Sequence, residues 1–294
     1  SYFCLYKLYE DSKNWDKSFY YLKKVNEFLN KRYPFRIEKF KNNHKKIKEL
    51  FNDIKDIRLP INENDYKLIF IVGLPRCGST MVENVLSMSD EVYSLGENRI
   101  FSKLLHKLKE NKDQNENQIS KILIDFREYY FSIIKFRTQK SIIINKYLNN
   151  YEYVGLINKI FPEAKFINLN RNPVNQLFSC FKINFSSKEG LNYTHNQHSL
   201  IQVYHAYKKM INYWSEQNIK NLISFNYEDL ANDKQKYFYD LFQFLNLDYK
   251  QEYLEIENNR NVSKTASLLQ VRKKIDISES NFKIVYQSKI KTLL

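Results

Sequence analysis

The segment Leu68-Ile-Phe-Ile-Val-Gly-Leu-Pro-Arg-Cys-Gly-Ser-Thr80 decides the fold of this 294-residue chain. Its apolar residues 68–72 predict a buried strand, and Ser79-Thr80 opens a helical pattern. Gly73 and Gly78 are two of only five glycines in the chain, and they permit a tight turn between strand and helix. Successive backbone N–H groups in such a turn, together with the helix N-terminus, form a cradle for a phosphate-type anion.

This turn differs from the one that nucleoside triphosphatases use. Their pattern GxxxxGK[ST] requires Lys at the position of Ser79. That lysine neutralises the β- and γ-phosphates beside Mg²⁺, whereas the only cation in this turn is Arg76. A P-loop kinase or ATPase is therefore the disfavoured alternative. We expect a nucleotide with a different arrangement of charge, bound without a metal.

The chain after residue 67 alternates short apolar segments with helical patterns. Buried strands are predicted at 68–72, 92–95, 142–144, 165–169 and 222–225. Helices are predicted at 80–88, 152–160, 173–181, 198–215 and 233–245. This alternation predicts an α/β fold with a P-loop-like open, mostly parallel sheet flanked by helices. Such a sheet binds its ligand at the carboxyl ends of its strands.

Residues 1–31 are predicted to be a short all-α segment. The apolar spacing indicates two amphipathic helices with a polar break at 11–14. The pair resembles one tetratricopeptide unit, with Trp15 entering the second helix and the small Ser18 where the helices approach closely. An ordinary helical hairpin is the alternative. Because one repeat cannot bury its own apolar face, the segment either caps a truncated array or docks on the following domain.

The charge of the chain favours an anionic ligand. Lys and Arg number 47 against 33 Asp and Glu, a net charge of +14. Residues 32–65 are predicted to be a basic linker with one helix near 47–54. The first 60 residues hold 15 basic and 8 acidic side chains. No nucleic-acid-binding module accompanies that charge, so no nucleic-acid partner is expected.

The cysteines and the hydropathy indicate the cellular setting. Cys4, Cys77 and Cys180 are too widely spaced for a disulfide framework or a zinc site, so a reducing, cytoplasmic location is expected. No apolar stretch approaches the roughly 18 residues that cross a bilayer. The chain begins at Ser1 without Met, inside a helical pattern. Whether further repeats or a signal peptide precede Ser1 is therefore left open by the sequence.

Six blocks in order resemble the sulfotransferases that use 3′-phosphoadenosine 5′-phosphosulfate (PAPS), above all the bacterial tetratricopeptide-repeat and tyrosylprotein-type branches. The blocks are Pro75-Arg-Cys-Gly-Ser-Thr80, Gly96-Glu-Asn-Arg99, Asn145-Lys-Tyr147, the strand, loop and helix of 161–181, Tyr227-Glu-Asp-Leu230, and the segment 265–272. The resemblance covers about 68–290. It implies a catalytic domain over 66–294 that transfers a sulfuryl group from PAPS to a hydroxyl without a metal.

The resemblance implies a role for each matched residue. Glu97 is expected to be the general base, while Lys146 and Arg76 stabilise the transferring group. A carboxylate is a weak base for a hydroxyl unless burial raises its pKa, so a buried Glu97 is expected. Arg171 and Ser179 would hold the 3′-phosphate. The donor-binding residues so implied are Arg76, Cys77, Gly78, Ser79, Thr80, Arg171, Ser179, Tyr227, Ser267 and Lys273.

Some positions depart from the family pattern. Cys77 and Ser79 replace residues that are usually Ser and Thr, and Cys77 is expected to have a lowered pKa at the helix N-terminus. Asn281 stands where relatives commonly have a basic residue, which would remove one phosphate contact. His195, His198 and His205 have a spacing that could place them on one helical face. They could bind a metal or face solvent or substrate, and they are the rival to Glu97 as base.

The acceptor and the partners are left open by the sequence. A protein tyrosine, a carbohydrate or a small molecule can each supply the hydroxyl, and the stretches 100–140 and 182–200 are expected to choose among them. The N-terminal repeat could contact a peptide or protein, and a homodimer is compatible with the chain. The alternative from another class is a non-catalytic, repeat-containing scaffold that binds peptides.

Overall fold

The structure of the chain is a computed structural model that describes residues 1–60, 64–110, 115–185 and 190–255. In these residues the backbone forms a sheet of five strands in the order β2-β3-β1-β4-β5, and every neighbouring pair is parallel. The strands are β1 (Lys67–Gly73), β2 (Val92–Ser94), β3 (Ile142–Asn145), β4 (Lys165–Asn170) and β5 (Leu222–Asn226). The predicted α/β fold with an open parallel sheet is confirmed.

Helices precede β1, connect the strands as a parallel sheet requires, and follow β5. They are α1 (Tyr2–Asp11), α2 (Trp15–Arg32), α3 (Ile37–Ile54), α4 (Ser79–Leu86), α5 (Phe101–Glu110), α6 (Glu116–Arg137), α7 (Val154–Ile160), α8 (Pro173–Phe181), α9 (Gln197–Glu216), α10 (Tyr227–Asn232) and α11 (Lys234–Leu245), with 3-10 turns at Leu148–Tyr153, Asn192–His195 and Gln251–Leu254. None of the described helices is long and apolar enough to span a membrane.

The chain folds into two compact units. The helical unit contains Ser1–Lys41 and Arg171–Lys208. The sheet unit contains Asn42–Asn170 and the described residues 209–255. All five strands belong to the sheet unit. The helical unit contains the hairpin of α1 and α2 together with α8.

The core of the sheet unit is aromatic. Phe70 of the central strand β1 is fully buried, and its ring lies 5.5 Å from the rings of both Phe101 and Phe166. Phe101 of α5 also contacts Tyr130 of α6 at a centroid separation of 5.5 Å. The sequence patterning did not predict α5 and α6. Their apolar faces complete the core, so the stretch 100–140 has a structural task whatever it does for the acceptor.

The N-terminal hairpin is bonded into the helical unit. Ser18 is buried where α2 approaches α1, and its hydroxyl donates to the Tyr6 carbonyl at 3.4 Å. Asn26 donates from its amide to the Phe181 carbonyl at the end of α8, at 3.0 Å. Lys182 and Glu10 form an ion pair at 2.7 Å. These contacts bury part of the hairpin against the residues that follow α8.

Candidate active site

The loop of residues 74–78 between β1 and α4 has a strained backbone. Gly78, the N-cap of α4, has φ +94°, and Arg76 has φ +69°, a left-handed conformation that a residue with a side chain seldom adopts. At Gly73 a Cβ atom would lie 2.9 Å from the Leu169 carbonyl oxygen. The left-handed conformation of Arg76 costs about 1–3 kcal/mol, and strained residues of this kind cluster at ligand clamps, whereas glycine adopts positive φ without that cost. This loop is the segment that the sequence predicts to be an anion cradle.

Tyr227 lies against this loop. A Cβ atom on Gly78 would be only 2.6 Å from Cδ2 of the Tyr227 ring, so only glycine allows the ring to approach so closely. Tyr227 is the first residue of α10, directly after β5. Two blocks that are about 150 positions apart in the sequence thus meet at the carboxyl edge of the sheet, as the open parallel topology requires.

Lys146 follows β3 and is buried rather than solvated. It is 1% exposed, and its ammonium lies between two carboxylates. Nζ donates a hydrogen bond to Glu97 Oε1 at 3.2 Å and forms an ion pair with Glu83 Oε2 at 3.3 Å. A lysine is almost never fully buried unless it is paired. A buried ammonium at the carboxyl end of a central strand is therefore a strong candidate for a charge-stabilising group.

Glu83 is a site residue that the sequence analysis missed. It is 2% exposed on α4, and its Oε1 accepts a 2.5 Å hydrogen bond from the Ser94 hydroxyl. Ser94 Oγ in turn accepts from the Gly96 N–H at 3.0 Å. The available signal was a lone acidic residue inside Met81-Val-Glu-Asn-Val-Leu86, because a carboxylate in so apolar a helix needs a buried partner.

Glu97 is held beside Lys146 but is not buried as expected. Its side chain is 48% exposed, because the turn of residues 95–98 projects from the sheet edge. Backbone hydrogen bonds tie this turn to β3: the Lys146 N–H donates to the Gly96 carbonyl at 2.9 Å. Asn145 adds a side-chain bond from Nδ2 to the Asn98 carbonyl at 3.3 Å. The turn thus presents a solvent-accessible carboxylate 3.2 Å from a buried ammonium.

Cys77 lies in the loop, but the prediction that its thiol has a lowered pKa is wrong. The residue is 1% exposed, and burial raises the pKa of its thiol, an effect only partly offset by hydrogen bonds to Ser79 and by the charge of Lys146. Desolvation therefore outweighs the field at the helix N-terminus. Cys77 is thus a buried residue of the loop, and Ser79 and Thr80 after it are buried as well.

Arg171 and Ser179 belong to the helical unit. Arg171 comes directly after β4, and α8 begins at Pro173 with the Asn172 side chain accepting from the Asn175 N–H at 3.2 Å. Ser179 lies on α8, about 9 Å along the axis from its first residue. Both side chains are half-buried. Ser267, Lys273 and Asn281 lie outside the described residues.

The three histidines do not share one helical face. His195 is buried in the 3-10 turn before α9, whereas His198 and His205 are exposed on α9, which begins only at Gln197. Nδ1 of His195 lies 3.3 Å from Oδ1 of Asn26, and burial lowers the pKa of the imidazole. Within the described residues no cluster of three or more His, Cys, Asp or Glu could hold a metal ion.

Known proteins resemble the chain over most of its length. It is 28% identical over 289 residues to an uncharacterized protein of Aquifex aeolicus (strain VF5), covering 93% of this chain but 38% of that protein. The sulfotransferase domain of the Synechococcus PCC 7002 olefin synthase has a TM-score of 0.51 and 19% identity, covering 74% of this chain and 87% of that domain. The sulfotransferase domain from the curacin biosynthetic pathway has a TM-score of 0.47 and 14% identity, covering 76% and 97%.

The structural likeness to the olefin synthase domain concerns the fold alone, and the chain spans well under half of its Aquifex relative. The family is shown by a different comparison. The model of the Sulfotransferase family matches residues 69–251, which include the loop, Glu83, Glu97, Lys146 and Tyr227. Because this match covers more than half of the chain, the protein belongs to the sulfotransferase family.

Proposed function

We propose that the protein transfers a sulfuryl group from PAPS to an acceptor hydroxyl, with Glu97 as the general base. The observation that carries the proposal is the Lys146 ammonium, buried at the carboxyl edge of the sheet and 3.2 Å from the accessible Glu97 carboxylate. In-line transfer to an acceptor hydroxyl, with departure of an anionic leaving group, requires a base that the acceptor can reach next to a shielded cation.

The reaction moves one proton and exchanges one bond at sulfur. Glu97 takes the proton of the acceptor hydroxyl as the acceptor oxygen bonds to sulfur. The bond between sulfur and the 5′-phosphate oxygen breaks, and the electron pair leaves with adenosine 3′,5′-bisphosphate (PAP). Lys146 and Arg76 stabilise the negative charge on the sulfuryl group and the bridging oxygen. Glu97 becomes an effective base when the bound acceptor covers its exposed side from water.

The loop supplies groups that suit the nucleotide. The left-handed Gly78 and the first turn of α4 with Ser79 and Thr80 fit a phosphate-type anion at the 5′ end. Tyr227 lies against the same loop, in which Cys77 is buried. For the 3′-phosphate we propose Arg171 and Ser179, a charge and a hydroxyl. The family pattern adds Ser267 and Lys273 to the donor-binding set.

We also propose a cellular setting, a domain organisation and an acceptor class. In the described part of the chain Cys4, Cys77 and Cys180 form no disulfide, which suits a cytoplasmic enzyme. We retain a catalytic domain over 66–294, a basic linker over 32–65 and a tetratricopeptide-like hairpin over 1–31 that could contact a peptide. The acceptor is a hydroxyl on a protein, a carbohydrate or a small molecule, and a homodimer is compatible with these assignments.

Two measurements test the function. Calorimetric titration should detect binding of PAP without added metal, and weaker or no binding of ATP with Mg²⁺. The protein should also transfer ³⁵S from labelled PAPS to one of three probes, a tyrosine peptide, a neutral oligosaccharide or 2-naphthol, or to a fraction of cell lysate. Binding of ATP with Mg²⁺ but not PAP would favour a kinase. Binding of PAP with no transfer to any probe or lysate fraction would favour a non-catalytic scaffold.

Gly78→Ala should weaken nucleotide binding. The new methyl group would lie 2.6 Å from the Tyr227 ring and would sit at φ +94°, a conformation that costs an L-residue about 1–2 kcal/mol. The loop must shift, so we expect the Kd for PAP to rise by about tenfold or more. Calorimetric titration with PAP measures the change.

Gly190→Ala is the matched control for Gly78→Ala. Gly190 also has positive φ, +75°, but a Cβ atom there meets nothing within 4 Å. The control carries the backbone strain without the collision, and its Kd for PAP should stay within about threefold of the wild-type value. Equal losses of affinity in both variants would show that the contact between Tyr227 and Gly78 does not shape the nucleotide site.

A further inference from the structure

We propose that Glu83 is a positioning residue that keeps hold of the Lys146 ammonium while Lys146 leaves Glu97 and turns to the sulfuryl donor. This inference rests on the proposed function and assigns a task to a carboxylate that the reaction itself does not use. Glu83 is the deeper of the two carboxylates on Lys146: it is 2% exposed, whereas the Glu97 side chain is 48% exposed.

The charges around Lys146 explain why two carboxylates are needed. Before the donor binds, the Lys146 ammonium is shared between Glu83 at 3.3 Å and Glu97 at 3.2 Å. Glu97 can accept the acceptor proton readily only after its hydrogen bond from Lys146 is released. If Glu97 were the sole counter-charge, that release would leave a buried ammonium unpaired, which is strongly unfavourable. Because Glu83 stays paired with Lys146 throughout, the buried ammonium keeps a counter-charge when Glu97 is released.

Glu83 is itself held by a hydrogen bond, so it can keep the Lys146 ammonium in place while Lys146 turns to the donor. Its Oε1 accepts from the Ser94 hydroxyl at 2.5 Å, which leaves Oε2 for Lys146. Ser94 also accepts from the Gly96 N–H, one residue before Glu97. A single carboxylate on α4 therefore anchors both the lysine and the turn that presents the base. Because α4 begins at the nucleotide loop, the same helix connects the loop to this pair of groups.

The test is Glu83→Gln in the full chain. The amide keeps the size and one hydrogen bond of Glu83 but removes its charge. Lys146 interacts with the carboxylates of Glu83 and Glu97 and with the buried thiol of Cys77. Without the Glu83 charge the buried ammonium keeps Glu97 as its only carboxylate partner among the described residues. We expect kcat to fall about 10- to 100-fold, the basic limb of the pH profile of kcat/KM to move to lower pH, and the Kd for PAP to change less than about threefold.

A second readout does not depend on turnover. Acetic anhydride labels unprotonated lysines, and mass spectrometry compares the labelling of buried Lys146 with that of exposed Lys103 in the same sample. In the wild-type protein Lys146 should react at least about tenfold more slowly than Lys103. Glu83→Gln should raise the relative reactivity of Lys146 at pH 7–9, and Glu83→Asp, which restores the charge, should reverse most of that rise.

Ser94→Ala separates charge from packing. It removes the hydrogen bond to Glu83 but leaves the carboxylate, so it should keep the basic limb of the pH profile in place. A loss of activity in Glu83→Gln without any change in the pH profile or in Lys146 labelling would overturn the inference, as would unchanged kinetics. A wild-type protein that neither binds PAP nor transfers sulfate would instead refute the proposed function, while the labelling experiment still decides whether Glu83 holds Lys146.

Discussion

Glu97→Gln lowers kcat by about 10²–10⁴-fold and leaves PAP binding nearly unchanged, if Glu97 is the general base. The amide has almost the size of the carboxylate but cannot accept a proton from the acceptor hydroxyl. Glu97 is 48% exposed, so its replacement creates neither a cavity nor a buried unpaired group. Lys146 keeps its ion pair with Glu83 in the variant. Steady-state transfer of ³⁵S from PAPS measures kcat, and calorimetry measures the Kd for PAP.

Two further variants make this result decisive. Glu91→Gln makes the same chemical change at an exposed carboxylate just before β2 and should keep wild-type turnover. His195→Gln tests the rival base. Asn26 donates to the Leu22 and Phe181 carbonyls, so its Oδ1 is the atom that faces His195 Nδ1, and this arrangement suits a neutral imidazole with an accepting Nε2. Turnover that survives Glu97→Gln but not His195→Gln would reassign the base to His195.

The sheet could be predicted because each strand is recognised from residues that are adjacent in the sequence. The apolar runs 68–72 and 142–144 mark the buried strands β1 and β3, and the glycine turn at 73–78 marks where β1 passes into a helix. The strand predicted to be buried at 222–225 forms as β5 but is only partly buried. Predicted strand positions agree with β1 to β5 within about one or two residues. Lys146 is singled out by the resemblance of Asn145-Lys-Tyr147 to a sulfotransferase motif, and its place after an apolar strand agrees with that role.

The electrostatic environment of the site could not be predicted, since it depends on contacts between distant segments. Glu83 becomes a site residue only when α4 brings it within 3.3 Å of Lys146, 63 positions later in the chain. Burial of the Cys77 thiol is decided by the packing around the loop, which reverses the effect expected of a helix N-terminus. Glu97 remains exposed because its turn is held by backbone bonds at the sheet edge. Sequence spacing contains none of this information.

Lys146→Met tests the cation at the centre of the site. Methionine fills a similar volume without charge, so the negative charge on the sulfuryl group and the leaving oxygen loses its buried stabilising partner. We expect kcat to fall about 10²–10³-fold, the usual effect of removing one such donor. The substitution also leaves the Glu83 carboxylate, which is 2% exposed, without its cationic partner. Breaking a buried pair on one side costs about 3–5 kcal/mol, so the melting temperature should fall by roughly 5–10 °C.

The double variant Glu83→Gln with Lys146→Met separates catalysis from stability. Removing both charges eliminates the unpaired carboxylate, and Ser94 can still bond to the amide, so most of the lost melting temperature should return. Activity should not return, because no cation remains beside Glu97. Thermal melts and ³⁵S transfer on the two variants measure the two effects. If turnover recovered together with stability, Lys146 would act only as a packing and charge-balancing residue, and Arg76 would be left as the cation that stabilises the transferring group.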